Sequence, residues 1–214
     1  FYTFQTMSYT IDIYRRQFEP TKKFWDYFAF VTFFPQLVAG PIERAKDLLP
    51  QLSRVRPIVE PEVASLAVLM IVWGLTLKLV FADNFGGVVE FLEINHLSND
   101  RFEMSMGWAY GYAFAFQIYC DFFAYTIIAR GAAKLFGVEL SPNFLTPYFS
   151  ASPSEFWQRW HVSLSSWIRD YVYIPMGGNR AGRFVTLSNL LITMIVAGLW
   201  HGAGILFVVW GQIN

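Results

Sequence analysis

A single cysteine, Cys120, stands in the 214 residues of this chain. That scarcity excludes an internal disulfide and any Cys-based zinc site. Charge is sparse as well: Asp, Glu, Lys and Arg make up 15% of the sequence, where a soluble domain carries about 25%. Sixteen basic residues balance sixteen acidic ones with no block of either sign. The electrostatic footprint of a nucleic-acid binder is therefore missing, and that partner class is set aside. No internal repeat and no low-complexity stretch occurs, which removes solenoids and biased linkers. The chain opens "FYTFQTMSYT" without an initiator Met or a signal peptide and stops inside an apolar run, "VVWGQIN". It reads as a piece of a longer protein lacking both ends.

What is abundant is apolar surface. Hydrophobic residues form 55% of the chain and aromatics 19%. Crossing the hydrocarbon of a bilayer takes about 20 mostly apolar residues in a helix, because roughly 30 Å must be covered at 1.5 Å per residue. The windows 63–82, 104–129 and 184–211 meet that length and are expected to be transmembrane helices. Residues 24–42 form a fourth candidate, shorter and interrupted by Pro35 and Pro41. Broken backbone at membrane depth needs protein or a wet cavity to satisfy it, so this segment reads as re-entrant. The expected fold class is all-α: a multi-pass transmembrane helical protein, one partial domain over 1–214, with the lipid bilayer as a partner. Lys and Arg flank the first apolar segment on both sides, so the positive-inside rule assigns no orientation.

Residues 152–175, "SPSEFWQRWHVSLSSWIRDYVYIP", are neither span nor loop. Ser152, Pro153 and Glu155 give a capping box with proline at the first helical position, which predicts an amphipathic helix over about 153–174. Trp157, Trp160, His161, Leu164, Trp167, Ile168 and Tyr171 recur at helical spacing on its aromatic face. One reading is an interfacial helix with tryptophans at headgroup level. The other rests on His161, a polar group on the aromatic face that needs a partner or a purpose.

His201 raises the same question inside a run, 184–214, that holds no Asp, Glu, Lys or Arg. An ionisable residue within a membrane segment is costly and is a functional-site hypothesis by default. Gly198 and Gly202 form a G-x-x-x-G pair, so His201 serves equally well as a hydrogen bond across a close helix contact. A desolvated imidazole stays neutral and can take a proton from a hydroxyl. Acyl transfer to an alcohol needs such a base, together with donors for the tetrahedral oxyanion. A second imidazole or the backbone of "GGNR" could supply those donors.

Other chemistries fit less well. His161 and His201 lack H-x-x-x-H or H-E-x-x-H spacing for zinc. Ser163, Ser165 and Ser166 lie in no G-x-S-x-G elbow. Cys120 as a thioester carrier competes with a plain buried cysteine. Asp121, inside the 104–129 span, either orients a catalytic group, lines a polar pore or binds a nearby Arg.

The segments "FYTFQTMSYTIDIYRR" (1–16), "FFPQLVAGPIERAKDLLPQL" (33–52), "FQIYCDFFAYT" (116–126), "FWQRWHVSLSSWIRDYVYIPMGGNR" (156–180) and "GLWHGA" (198–203) resemble the membrane-bound O-acyltransferase (MBOAT) family. The resemblance is to its bacterial alginate O-acetyltransferase-like branch. It implies a ring of transmembrane helices around a thin centre, with funnels meeting near the two histidines. His201 matches the histidine regarded as catalytic and His161 the histidine of the longer motif. Trp160, Arg169, Asn179, Arg180 and Asp121 are the implied lining residues. The sequence departs from the family at "CDFFAYTI", where Phe123 and Ala124 replace Ser-Gly and Ile127 stands at a usual acidic position.

The resemblance implies transfer of a short acyl group, acetyl, from acetyl-CoA or an acylated carrier to a hydroxyl of an exported polysaccharide. It implies no metal and no bound organic cofactor, a place in the bacterial cytoplasmic (inner) membrane, and a periplasmic acetylation partner. The rival expectation is a transporter or channel with Asp121, His161 and His201 as a polar path, although repeated halves are missing. An inactive scaffold is the third.

Overall fold

The computed structural model describes residues 2–37, 40–54, 59–98, 104–202, 204–206 and 209. Among them the regular structure is helical, and the protein is an all-α, multi-pass membrane protein. The chain divides into two compact units, residues 1–143 and 144–214.

The first unit opens with α1 (Tyr2–Tyr14), α2 (Phe24–Thr32) and α3 (Ala45–Leu52). α1 is turned inside out: it buries Gln5, Ser8 and Asp12, spaced three and four apart, while Tyr2, Met7 and Tyr14 lie exposed. An apolar outer face suits lipid contact better than water. The segment expected over 24–42 is no single span. α2 is nine residues long, and a 3-10 turn at Phe34–Gln36 follows it. Pro35 at the first positions of that turn has no N–H to continue α2, which is the physical reason. Val38 and Ala39 of the expected segment lie outside the described residues. Phe30, Ala45, Leu48, Leu49, Ala133, Val138 and Leu140 form the core here. Buried Glu43 closes it by accepting hydrogen bonds from the Ser141 N–H at 2.5 Å and the Ser141 hydroxyl at 3.3 Å.

Two long helical stretches form the rest of this unit. α4 (Pro61–Thr76) runs through a π-helical turn at Leu77–Ala82 into α5 (Asp83–Ser98), and α6 covers Met104–Leu135. Residues 61–94 and 104–135 are each long and apolar enough to cross a bilayer. α4 and α6 approach closely because glycines face backbone. A Cβ at Gly74 would stand 2.9 Å from the Ala124 carbonyl oxygen, and one at Gly131 would stand 2.8 Å from that of Ala67. Small residues at such crossings let membrane helices gain dispersion contacts where lipid removes the hydrophobic drive. The outward side of α4 exposes Leu66, Leu69, Val72 and Trp73.

The second unit holds α7 (Pro153–Arg159), α8 (Val162–Ile168), a π-helical turn at Arg169–Tyr173 and α9 (Arg183–His201). α9 is 19 residues long, about 28 Å of helix, enough to cross. The span expected over 184–211 is thus a helix as far as His201. Residues 203, 207, 208 and 210–214 lie outside the described residues.

Candidate active site

The start of α7 matches the capping-box reading. The Ser152 hydroxyl accepts from the Glu155 N–H at 3.2 Å, while the Glu155 carboxylate accepts from the Ala151 N–H at 2.7 Å. The continuous helix expected over 153–174 does not form. It breaks at Trp160 and His161. Trp160 is extended (φ −96°, ψ 128°), and His161 takes the left-handed conformation (φ 44°, ψ 54°). Such a conformation costs a non-glycine residue on the order of 1–3 kcal/mol, so its surroundings must enforce it.

Those surroundings are visible. Trp160 pairs with Phe144 in an isolated antiparallel bridge, and the Leu145 N–H donates to the Arg159 carbonyl at 2.9 Å. The Trp160 ring meets Phe144 edge to face at 5.0 Å and stacks with Phe156 at 5.5 Å. On the far side of the break the Ser165 N–H takes the His161 carbonyl at 2.9 Å, starting α8. The Ser165 hydroxyl donates to the Trp160 carbonyl at 3.1 Å. His161 therefore sits at a corner between two short helices, aimed by backbone geometry rather than by helical periodicity.

The corner buries His161, leaving 2% of it exposed. Its ring lies 5.5 Å from that of Trp200, centroid to centroid, and Trp200 in turn meets His201 at 4.8 Å. Both imidazole rings thus contact one indole. Burial, with the neighbouring His201 second, lowers the His161 pKa to about 3, so its ring is neutral at physiological pH. A neutral imidazole carries one N–H donor and one acceptor nitrogen. His201 is the last residue of α9 and is exposed at the helix end.

Trp160, His161 and His201 are therefore gathered in one unit, with Trp160 next to the buried imidazole in sequence and engaged by its aromatic neighbours. Arg169 is exposed, and its Nε donates to Asp170 at 2.7 Å. Asn179 and Arg180 are exposed in the turn before α9. They precede Asn189, itself 12 residues and about 18 Å of helix from His201. Asp121 belongs to the first unit, where it accepts from Lys78 Nζ at 2.7 Å.

Comparison with known proteins accords with this arrangement of motifs. The family model described as MBOAT, membrane-bound O-acyltransferase family, matches residues 16–214. The chain belongs to the membrane-bound O-acyltransferase family. It is 39% identical over 213 residues to Probable alginate O-acetylase AlgI of Pseudomonas aeruginosa, covering 99% of this chain and 39% of that protein. It is 30% identical to Peptidoglycan O-acetyltransferase of Helicobacter pylori, covering 100% of this chain and 45% of that protein. It is also 30% identical to Teichoic acid D-alanyltransferase of Streptococcus thermophilus, covering 87% of this chain and 47% of that protein. The chain thus spans less than half the length of these relatives.

Two residues of this MBOAT unit escape a reading of the sequence alone. Trp200 was visible only as part of "GLWHGA", with nothing to place it against His161. Asn189 looked like one polar residue in an apolar span, yet it is buried and donates to two carbonyls, Met176 at 3.1 Å and Gly178 at 2.9 Å. The available signal was the cost of burying an amide in such a span.

Proposed function

We propose that the full-length protein is a membrane-bound O-acyltransferase that moves a short acyl group, acetyl, from a thioester donor to a hydroxyl of an exported polysaccharide. The observation that carries this reading is the pair of imidazoles, His161 buried and His201 accessible, both against the Trp200 ring. The names of the relatives, acting on alginate, peptidoglycan and teichoic acid, support a cell-envelope polymer as acceptor.

In this scheme an imidazole nitrogen of His201 takes the hydroxyl proton as the oxygen attacks the thioester carbonyl. A tetrahedral oxyanion forms, the C–S bond breaks, and the departing thiolate takes the proton back from the imidazolium. The neutral His161 ring offers one N–H, either to the oxyanion or to the acceptor hydroxyl. Trp160 and Trp200 supply apolar walls that keep water from the thioester. Arg169, Asn179, Arg180 and Asp121 are second-tier lining residues, their place depending on parts of the protein beyond this chain. The donor is acetyl-CoA or an acylated carrier, and the scheme calls for no metal or bound organic cofactor. The protein works in the bacterial cytoplasmic membrane, with a periplasmic partner completing the transfer in the relay variant of the mechanism.

The test is the ester-linked acetate on exported polysaccharide, measured by mass spectrometry in cells carrying full-length His201→Ala or His161→Ala at matched protein levels. A fall of about 10²–10⁴-fold is expected for His201→Ala, the usual contribution of a positioned base. Wild-type ester content in both variants rejects the assignment.

A further inference from the structure

The stretch from His161 to His201 closes on itself at two places. At one, the His161 ring packs against Trp200. At the other, Asn189 holds the turn that follows the Arg169–Tyr173 helical turn. Its Nδ2 donates to the carbonyls of Met176 and Gly178. A primary amide has two N–H donors, and two acceptors meet them here. Gly177 (φ +102°) and Gly178 (φ +55°) give that turn the left-handed backbone its path requires. Asn189 is 5% exposed in a helix whose neighbouring Leu187, Leu190 and Leu191 face outward. An amide buried in such a helix is costly unless its donors are used.

The two closures differ in what they can fix. An aromatic contact such as that between His161 and Trp200 is non-directional and holds the angle between two helical segments less tightly than paired hydrogen bonds do. Asn189 stands 11 residues before Trp200, about 17 Å along α9. A tilt of about 3° over that lever moves a ring by roughly 1 Å, enough to cost a near-attack geometry about a hundredfold in rate.

We propose that Asn189 is a positioning residue for the histidine pair: by clamping the Met176–Gly178 turn to α9 it sets the register in which His161 and His201 face one substrate. This rests on the acyltransfer reading above. It assigns Asn189 no contact with substrate, and its effect passes through the turn and the helix.

The experiment uses the full-length protein in membrane vesicles, with Asn189→Asp and Asn189→Leu as near-isosteric variants that lose the amide donors. Steady-state acetyl transfer from acetyl-CoA to polysaccharide is measured beside the rate of tryptic cutting at the exposed Arg180 and Arg183. Both variants are expected to lose about a hundredfold in kcat, to keep KM for donor and acceptor within about threefold, and to be cut faster. Unchanged kcat overturns the positioning role, as does a rise in KM with kcat kept. Unchanged cutting overturns the docking beneath it. If neither variant accumulates, Asn189→Ser, small and retaining one donor, carries the same two readouts, with an intermediate loss of kcat expected and wild-type values overturning the proposal. His201→Ala, run in parallel, separates the two ideas. Absence of transfer by the wild-type protein refutes the acyltransfer reading, and full transfer in His201→Ala refutes the histidine assignment, while the tryptic pattern still decides whether Asn189 holds the turn.

Discussion

His161 and Trp200 are 39 positions apart in sequence, yet their rings lie 5.5 Å apart at 57°. This contact joins the corner between α7 and α8 to the end of α9, and so makes one site of two separate motifs. The indole also meets His201 at 4.8 Å. Trp200 therefore touches both imidazoles.

Replacing Trp200 tests that role. Trp200→Ala leaves both histidines in the sequence but removes the ring they both pack against, and a fall of at least about tenfold in kcat/KM is expected from the lost orientation. Trp200→Phe keeps a flat apolar ring and is expected to retain most of the activity. Acetyl transfer by purified full-length protein checks both.

The burial of His161 predicts a pH dependence of stability. Its folded pKa, about 3, lies below the ordinary 6.5, so between those values the unfolded chain binds the extra proton. The His161 contribution is complete above about pH 6.5 and is lost as pH falls toward 3, at no more than about 1.4 kcal/mol per pH unit. Thermal midpoints in lipid nanodiscs from pH 7.5 to 4.5 should fall for the wild type and fall less steeply for His161→Gln.

The α4–α6 crossing predicts a steric penalty. Gly74 faces the Ala124 carbonyl and Ile128, and Gly131 faces the Ala67 carbonyl and Ile71. Gly74→Val and Gly131→Val force these helices apart and are expected to cost about 1–3 kcal/mol each. Lowered thermal midpoints, or lowered accumulation in membranes, would register it. Gly87→Ala has open space around the added carbon and serves as the silent control.

Lys78 bridges two carboxylates, Asp121 at 2.7 Å and Asp83 at 2.8 Å. The π turn at Leu77–Ala82 makes this possible, because i and i+5 lie over one another in that geometry. A double-mutant cycle with Lys78→Gln and Asp121→Asn is expected to give a coupling on the order of 0.5–1 kcal/mol, modest because both side chains are partly exposed. Because Asp83 also pairs with Lys78, Lys78→Gln is expected to lower the thermal midpoint more than Asp121→Asn does.

Much of the fold was legible because it depends on local composition. An apolar window of 20 residues has few alternatives to a span, and the capping box at Ser152 and Glu155 needs only four neighbours in sequence. The break at Trp160–His161 was not legible. Periodicity runs smoothly through "FWQRWHVSLSSW", and only the bridge to Phe144 and the aromatic cluster around Trp160 make the left-handed turn worth its cost. Asp121 was readable as an expensive carboxylate, but not as the partner of Lys78, which sits 43 positions away on another helix.

By itself, then, the sequence determined that this is an all-α membrane protein, where its long helices run, and that His161 and His201 are its chemically pointed residues. These follow from the price of polar groups in lipid and from motif identity. Only the tertiary structure decided that His161 is buried at a corner, that its ring packs against Trp200, and that Asn189 clamps the turn leading into α9. Those are pairings between residues 11 to 39 positions apart, and no local pattern encodes them, because each is set by which surfaces remain to be covered once the helices have formed.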